Sequence, residues 1–187
     1  MGTLLPFALL AALQAPPSRA ARACVTATLA QYLTQGSCSQ NGFTYTFQSY
    51  THVEFGGASV ITSDDITVTP TPTGMMFTAA WQLPSIGGLE DVINITSQAE
   101  GQNAQSLQMG GPAFTGNGIV TVTDLVSYLG GEIGTLFLVY DSADQIVFVE
   151  NPIAPTNLTV SSSISIGLNS QTDGTASLAA VVANFAN

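Results

Sequence analysis

The chain has 187 residues, of which 45% are hydrophobic and only 7% charged, and its formal net charge at pH 7 is −10. Its two basic side chains are Arg19 and Arg22, so no lysine or arginine follows Arg22. Nucleic acid and anionic lipid are disfavoured as partners, because nothing in the rest of the chain neutralises phosphate. Phosphate-binding loops and Schiff-base chemistry need a lysine and are excluded for the same reason.

Residues 1–23 predict a signal peptide. The apolar run from Leu4 to Leu13 is too short to cross a bilayer, and the small residues before Cys24 are typical of a cleavage site. Cleavage leaves Cys24 or Ala21 as the first residue; an ordinary buried helix is the alternative. We expect a secreted, extracellular protein in which residues 24–187 form one domain without a membrane span.

Two cysteines, Cys24 and Cys38, lie close together at the start of this domain. In an exported protein they predict one disulfide, which ties the first segment to the strand that begins near Phe43. Two buried free thiols are the alternative. A metal site needs more ligands than two thiols, and the single histidine, His52, lies too far along the chain to complete a zinc finger.

The first half of the domain alternates on a period of two, the pattern of half-buried antiparallel strands. A short helix from Thr28 to Tyr32 precedes these strands. The apolar positions that define them are Phe43, Tyr45 and Phe47; Ile66 and Val68; Met75, Phe77, Ala79 and Trp81; and Ile93 and Ile95. Pro70 and Pro72 are expected to end the second strand, since proline donates no ladder hydrogen bond.

The second half continues this alternation. Strands are predicted around residues 119–123, 136–140, 146–149 and 158–166, with residues 141–145 as the polar tip of a hairpin. Residues 169–174 form a loop before a last strand, for which alanine content leaves a helix over 177–185 as the alternative. Eight to ten short strands separated by glycine and proline turns predict a single-domain, all-β antiparallel sandwich.

Few residues suit catalysis. His52 and Glu54 share a strand face, so a base with an orienting carboxylate is conceivable, but no G-x-S-x-G motif accompanies them. We interpret His52 as a polar strand-face residue. We expect no enzyme, with no catalytic residue, cofactor or metal.

Carboxylates occur in three pairs, Asp64-Asp65, Glu90-Asp91, and Asp141 with Asp144. Neighbouring residues of a strand face opposite sides, so the first two pairs suit acid-base catalysis poorly. We interpret all three as solvated turn residues. A calcium site that includes Asp141 and Asp144 is the alternative, although no EF-hand loop is present.

Trp81 continues the face of Met75 and Phe77, which predicts a core residue rather than a sugar-stacking platform. Asn94 and Asn157 begin glycosylation sequons, and both lie in sequence predicted to be strand.

Several segments carry a family resemblance. They are ACVTATL at 23–29 with Tyr32, GSC at 36–38 followed by Phe43 and Phe47, ITVTP at 66–70, GMMF at 74–77 with Trp81, and the strand at 163–168 followed by Ser177-Leu178 and Asn184-Phe185. Together they resemble the exported bacterial proteins that carry a PEP-CTERM sorting tail. The resemblance implies an all-β, secreted domain of undetermined role. Family members end with Pro-Glu-Pro, an apolar span and basic residues, whereas this sequence stops at Asn187. The two explanations for the missing tail are a tail-less paralogue that is released and a truncated gene.

Two functions follow from these patterns. The first is a non-enzymatic extracellular domain that contributes to a surface or matrix. The second is a carbohydrate- or calcium-binding module of the same architecture. The candidate partners are extracellular polysaccharide and further copies of the chain.

Overall fold

The computed structural model describes residues 22–98, 102–128, 131–156 and 159–185. Within these ranges it has one helix, α1 (Leu29–Gln35), and fifteen strands. In chain order the strands are β1 (Arg22–Ala23), β2 (Ala27–Thr28), β3 (Ser37–Gln40), β4 (Phe43–Phe55), β5 (Thr67–Thr71), β6 (Gly74–Leu83), β7 (Gly87–Gln98), β8 (Gln102–Gly110), β9 (Ala113–Thr115), β10 (Ile119–Tyr128), β11 (Gly131–Tyr140), β12 (Gln145–Ile146), β13 (Phe148–Thr156), β14 (Val160–Ser170) and β15 (Thr175–Asn184). The described residues include no helix long and apolar enough to cross a membrane.

The strands form two facing sheets, so the predicted β-sandwich is confirmed. The larger sheet has the order β1-β3-β4-β7-β14-β10-β11-β12, and the smaller has the order β13-β8-β15-β6-β5-β2, with β9 also paired to β15. All pairs are antiparallel except β1 with β3. Ten of the described strands, β4 to β8, β10, β11 and β13 to β15, have five or more residues, in agreement with the eight to ten expected.

The core lies between the two sheets and follows the predicted alternation. Phe43, Tyr45 and Phe47 are buried on the larger sheet, and Phe77 and Trp81 face them from the smaller one. The ring centroids of Phe47 and Phe77 are 6.3 Å apart, so the two sheets are joined by aromatic contact. The last element is a strand: Thr175–Asn184 pairs with β6, β8 and β9, which excludes the helical alternative.

The amino-terminal segment is fixed by a cap and a disulfide. Thr28 Oγ1 accepts from the backbone N–H of Gln31, and Gln31 Oε1 accepts from that of Thr28, a capping box that begins α1. Leu29 and Tyr32 bury the inner face of this helix. The predicted Cys24–Cys38 disulfide is confirmed.

The signal-peptide prediction falls on residues 1–21, which lie outside the described residues, and on Arg22–Ala23. These last two residues form β1 and pair with Cys38 and Ser39 of β3. Cleavage that leaves Cys24 first would therefore remove β1, whereas cleavage that leaves Ala21 first would keep it.

Two details of the sequence prediction are wrong. Pro70 lies within β5, opposite Met75, and does not end the strand. Beyond Val68 no described strand pairs with the other side of β5, so proline is tolerated there. The predicted hairpin across 141–145 is only two residues deep: β12 pairs with β11, and the chain then crosses to the smaller sheet as β13.

Candidate functional site

A groove of about 370 Å³ crosses the outer face of the larger sheet. Paired residues of neighbouring strands share a face, and the register therefore places Val53, Glu90, Gly167 and Thr121 in one row across four strands. The groove is partly open to solvent. The groove is also lined by Phe55, Thr123, Ser165 and Asn169.

Phe55 gives the groove an aromatic surface. Its side chain is 61% exposed, and it lies opposite Gly88 in the register of β4 and β7. A Cβ placed on Gly88 would lie 2.5 Å from Cε1 of Phe55, so only glycine allows the ring to lie against the sheet here. The result is an exposed aromatic surface in the row next to that of Glu90 and Gly167.

The centre of the groove is polar and shallow. Ser165 donates to Oε1 of Glu90 at 2.8 Å, and Thr121 donates to the carbonyl of Gly167 at 3.3 Å. A Cβ on Gly167 would lie 2.6 Å from Oγ1 of Thr121, so the glycine leaves the floor bare. Hydroxyl, amide and carboxylate groups beside an exposed ring match the mixed polar and apolar faces of a sugar.

The groove lacks the pair of carboxyl groups that glycoside hydrolysis needs. Glu90 is the only carboxylate among its lining residues, whereas glycoside hydrolysis uses two carboxyl groups on either side of the bond. Glu90 and Asp91 point to opposite sides of β7, as their adjacency predicts.

Asp91 corrects the prediction that Glu90-Asp91 lies in a solvated turn. It is fully buried between the sheets, where its carboxylate has three donors. Oδ1 accepts from Nδ1 of His52 at 2.5 Å and lies 2.8 Å from the Tyr50 hydroxyl, while Oδ2 accepts from Nε1 of Trp81 at 2.6 Å. We call Asp91, His52, Tyr50 and Trp81 the Asp91 cluster.

The Asp91 cluster is closed to substrate. His52 pairs with Asp91 across β4 and β7, and Glu54, its predicted companion, is exposed and contributes nothing to the cluster. Nε2 of His52 is buried and has no hydrogen-bond partner among the described residues. Burial raises the pKa of Tyr50, and the neighbouring Asp91 raises it further. The cluster joins β6 of one sheet to β4 and β7 of the other.

A second buried carboxylate, Asp124, lies on β10 and was not among the candidate residues identified from the sequence. Gln105 of β8 donates from Nε2 to Oδ2 of Asp124 at 2.5 Å and to Oγ of Ser162 at 2.8 Å, which again links the two sheets. Oδ1 of Asp124 and Oε1 of Gln105 are buried without a partner in the described part of the chain. Burial raises the pKa of Asp124 to about 7, and hydrogen bonds from Gln105 and Ser162 offset part of that rise. We call these three residues the Asp124 cluster.

The remaining carboxylate pairs lie at exposed turns, as expected. Oδ2 of Asp65 accepts from the N–H and hydroxyl of Thr62, and these hydrogen bonds lower the pKa of Asp65. Oδ1 of Asp141 accepts from the N–H groups of Ala143 and Asp144. No three His, Cys, Asp or Glu side chains in the described ranges are grouped to hold a metal ion; calcium binding at Asp141 and Asp144 stays a hypothesis.

Trp81 is a core residue, as predicted, with no exposed surface. Asn94 lies on β7 and donates to Ser49, which agrees with the predicted strand, while Asn157 lies outside the described residues.

No protein-family model and no curated protein matches the chain. Several solved structures are similar to the chain at low TM-score, among them the following three. The carbohydrate-binding module TmCBM61 in complex with β-1,4-galactotriose has 7% identity and a TM-score of 0.34, over 73% of this chain and 88% of that one. The enzymatically active domain of bacteriophage CBA120 tailspike protein 4 has 10% identity and a TM-score of 0.34, over 76% and 19%. A structure of promiscuous carbohydrate-binding modules from the β-sandwich superfamily has 8% identity and a TM-score of 0.33, over 89% and 62%. These similarities are too low for the neighbours' ligands to bear on this chain.

Proposed function

We propose that this chain is a non-enzymatic extracellular module that binds polysaccharide in the groove on the outer face of its larger sheet. The observation that carries the proposal is the Phe55 ring against Gly88, beside the hydroxyl and carboxylate groups of Ser165, Thr121 and Glu90. A sugar ring stacks its C–H face on an aromatic ring and presents hydroxyls at its edge, so both kinds of surface are needed.

Binding is favoured over catalysis by the single carboxylate of the groove and by the closure of the Asp91 cluster. A shallow, partly open groove on a sheet face suits a polymer better than a small metabolite, for which an enclosed pocket buries most of the ligand.

An extracellular location is supported by the disulfide, which persists in oxidising compartments, and by the predicted signal peptide. In that setting, polysaccharide binding would hold the protein in a cell-surface or matrix layer. This hypothesis joins the two functions that the sequence suggests, and the resemblance to PEP-CTERM proteins is compatible with it.

Affinity electrophoresis tests the proposal, with gels that contain hydroxyethylcellulose, galactomannan, xylan or dextran. We expect at least one polymer to retard the protein, and Phe55→Ala to lower the affinity about tenfold, which corresponds to about 1.4 kcal/mol. Phe148→Ala is the matched control, since Phe148 is 51% exposed on the smaller sheet, away from the groove.

Running the same gels with calcium and with a chelator distinguishes calcium-independent polysaccharide binding from binding that needs a calcium site. Retardation that is independent of calcium fits the groove. Retardation that requires calcium would favour a calcium site among the acidic side chains. No retardation by any of the four polymers, or an equal loss in Phe148→Ala, would overturn the proposal.

A further inference from the structure

A second exposed aromatic ring lies on the same outer face as Phe55. Phe137 of β11 is 50% exposed and pairs with Thr123 of β10, which lines the groove. Because directly paired residues share a face, the Phe137 ring continues the surface of the groove beyond its β10 side. The outer face of the larger sheet therefore has an aromatic ring on each side of a polar centre.

The two rings are separated by the width of several strands. β7, β14 and β10 lie between β4 and β11, so four strand spacings of about 4.8 Å place these two strands roughly 19 Å apart. Phe55 shares a row with Gly88 and Asn169, and Phe137 shares one with Thr123 and Ser165, four residues further along the strands, so the rings are roughly 23 Å apart on an oblique path. The polar row with Glu90, Gly167 and Thr121 crosses this interval. A ligand that contacts both rings must run across the strands and extend over several sugar units.

The charge of this surface restricts the ligand further. The residues that line the groove include no lysine, arginine or histidine, and their one charged side chain is Glu90. The whole chain carries a formal net charge of −10. Uronate, sulfate or phosphate groups on a polymer would therefore meet repulsion without any compensating cation.

We infer that the ligand is a linear, uncharged polysaccharide that crosses the strands of the larger sheet and is held at both ends, by Phe55 and by Phe137. The inference rests on the proposed function and adds the charge class, the direction and the second aromatic contact. Phe137 is a binding residue for long ligands and is out of reach of short ones held at Phe55.

Calorimetric titration tests the inference with the disaccharide to the hexasaccharide of whichever of the four polymers retards the protein. We expect the affinity to rise with chain length, and Phe137→Ala to lower the affinity for the hexasaccharide about tenfold while that for the disaccharide is unchanged. Phe137→Tyr, which keeps an aromatic ring, should keep the wild-type affinity. Unchanged melting temperatures would show that all variants fold.

The outcomes separate the inference from the proposed function. If a neutral polymer binds through Phe55 but Phe137→Ala leaves the hexasaccharide affinity unchanged, the contact of the ligand with Phe137 is wrong, whereas polysaccharide binding in the groove is still supported. If polygalacturonate or alginate binds as tightly as the neutral polymers, the uncharged class is wrong. If none of the four neutral polymers binds the wild-type protein, the proposed function fails and the inference with it.

Discussion

The Asp91 and Asp124 clusters differ in how a buried carboxylate is accommodated. Both aspartates are fully buried, and both link the larger sheet to the smaller one. Asp91 has donors from His52, Tyr50 and Trp81, which together address both of its oxygens. Asp124 has hydrogen bonds from an amide and a hydroxyl, and one of its oxygens has no partner among the described residues.

This difference decides how completely each buried carboxyl group is supplied with hydrogen bonds. A buried polar group is tolerated when donors replace the water that it has lost, and both oxygens of Asp91 have such donors. Where the donors are too few, the neutral acid is favoured and the pKa rises, as at Asp124. The Asp91 cluster should therefore stabilise the fold through its three hydrogen bonds, and the contribution of the Asp124 cluster should depend on pH.

The largest expected effect follows from removal of the Asp91 carboxylate. Asp91→Ala leaves the indole N–H of Trp81 and the His52 ring without their partner, so we expect a loss of about 3–5 kcal/mol in the free energy of unfolding at pH 7. Urea denaturation measures it. Glu90→Ala, the neighbouring carboxylate on the outer face, is the control and should change stability by less than about 0.5 kcal/mol. A change of under 1 kcal/mol in Asp91→Ala, roughly that of an ordinary surface substitution, would mean that its donors do not act together.

The second prediction concerns pH. Since the pKa of Asp124 is raised from 3.8 to about 7 in the folded protein, the stability that this group contributes is fully present below pH 3.8 and is lost as pH rises toward 7. Three pH units correspond to a loss of about 4 kcal/mol. Melting curves from pH 4 to 7.5 should show this decline in the wild-type protein and a much flatter profile in Asp124→Asn.

Asp65→Asn is the matched comparison for this experiment. The pKa of Asp65 is lowered by hydrogen bonds from Thr62, so its contribution is present above the unfolded pKa and is lost as pH falls through the folded value. The two variants should therefore alter the pH profile in opposite directions. Parallel profiles of Asp124→Asn and the wild type would contradict the protonated state of Asp124.

The smallest expected losses of stability come from removing one hydroxyl group from each cluster. Tyr50→Phe removes a hydroxyl donor that lies between Asp91 and the carbonyl of Ile61, and we expect a loss of about 1–3 kcal/mol at pH 7 because a fully buried acceptor loses a donor. Ser162→Ala removes a hydroxyl beside Asp124, with an expected loss of about 0.5–1.5 kcal/mol. Chemical denaturation of both variants at pH 5 and 7 decides the order, and a larger loss in Ser162→Ala would reverse the comparison.

Much of the fold is predictable from local patterns. The alternation of Phe43, Tyr45 and Phe47, and the face of Met75 and Trp81, correctly identified the inner side of two core strands. Such patterns can be recognised within one strand, because they depend only on the alternation of side chains between its two faces. The crossing of the chain from β12 to β13 was missed because residues 146–149 form one continuous apolar run, and nothing local states that this run is divided between two sheets.

The functional surfaces depend on strand order and register, which the sequence does not contain. Asp91 meets His52 only because β4 pairs with β7 after a bulge between Phe47 and Ser49. Phe55 and Phe137 share a face because the registers of β4, β7, β14, β10 and β11 place both on the outer side of the larger sheet. Asp124 did leave a local signal: it occupies an inward position in the alternation of Val120, Val122 and Val126.

The burial of Trp81 also has a spectroscopic consequence. It is the only tryptophan of the chain, and its indole N–H donates to Asp91 in the interior. Intrinsic fluorescence excited at the indole band therefore originates from a single site whose surroundings are known. The groove lies on the opposite side of the larger sheet, so a ligand bound there does not touch the fluorophore. Emission from Trp81 should shift to the red when the two sheets separate and stay nearly constant when the groove is filled, which makes it a label-free reporter of unfolding during binding experiments.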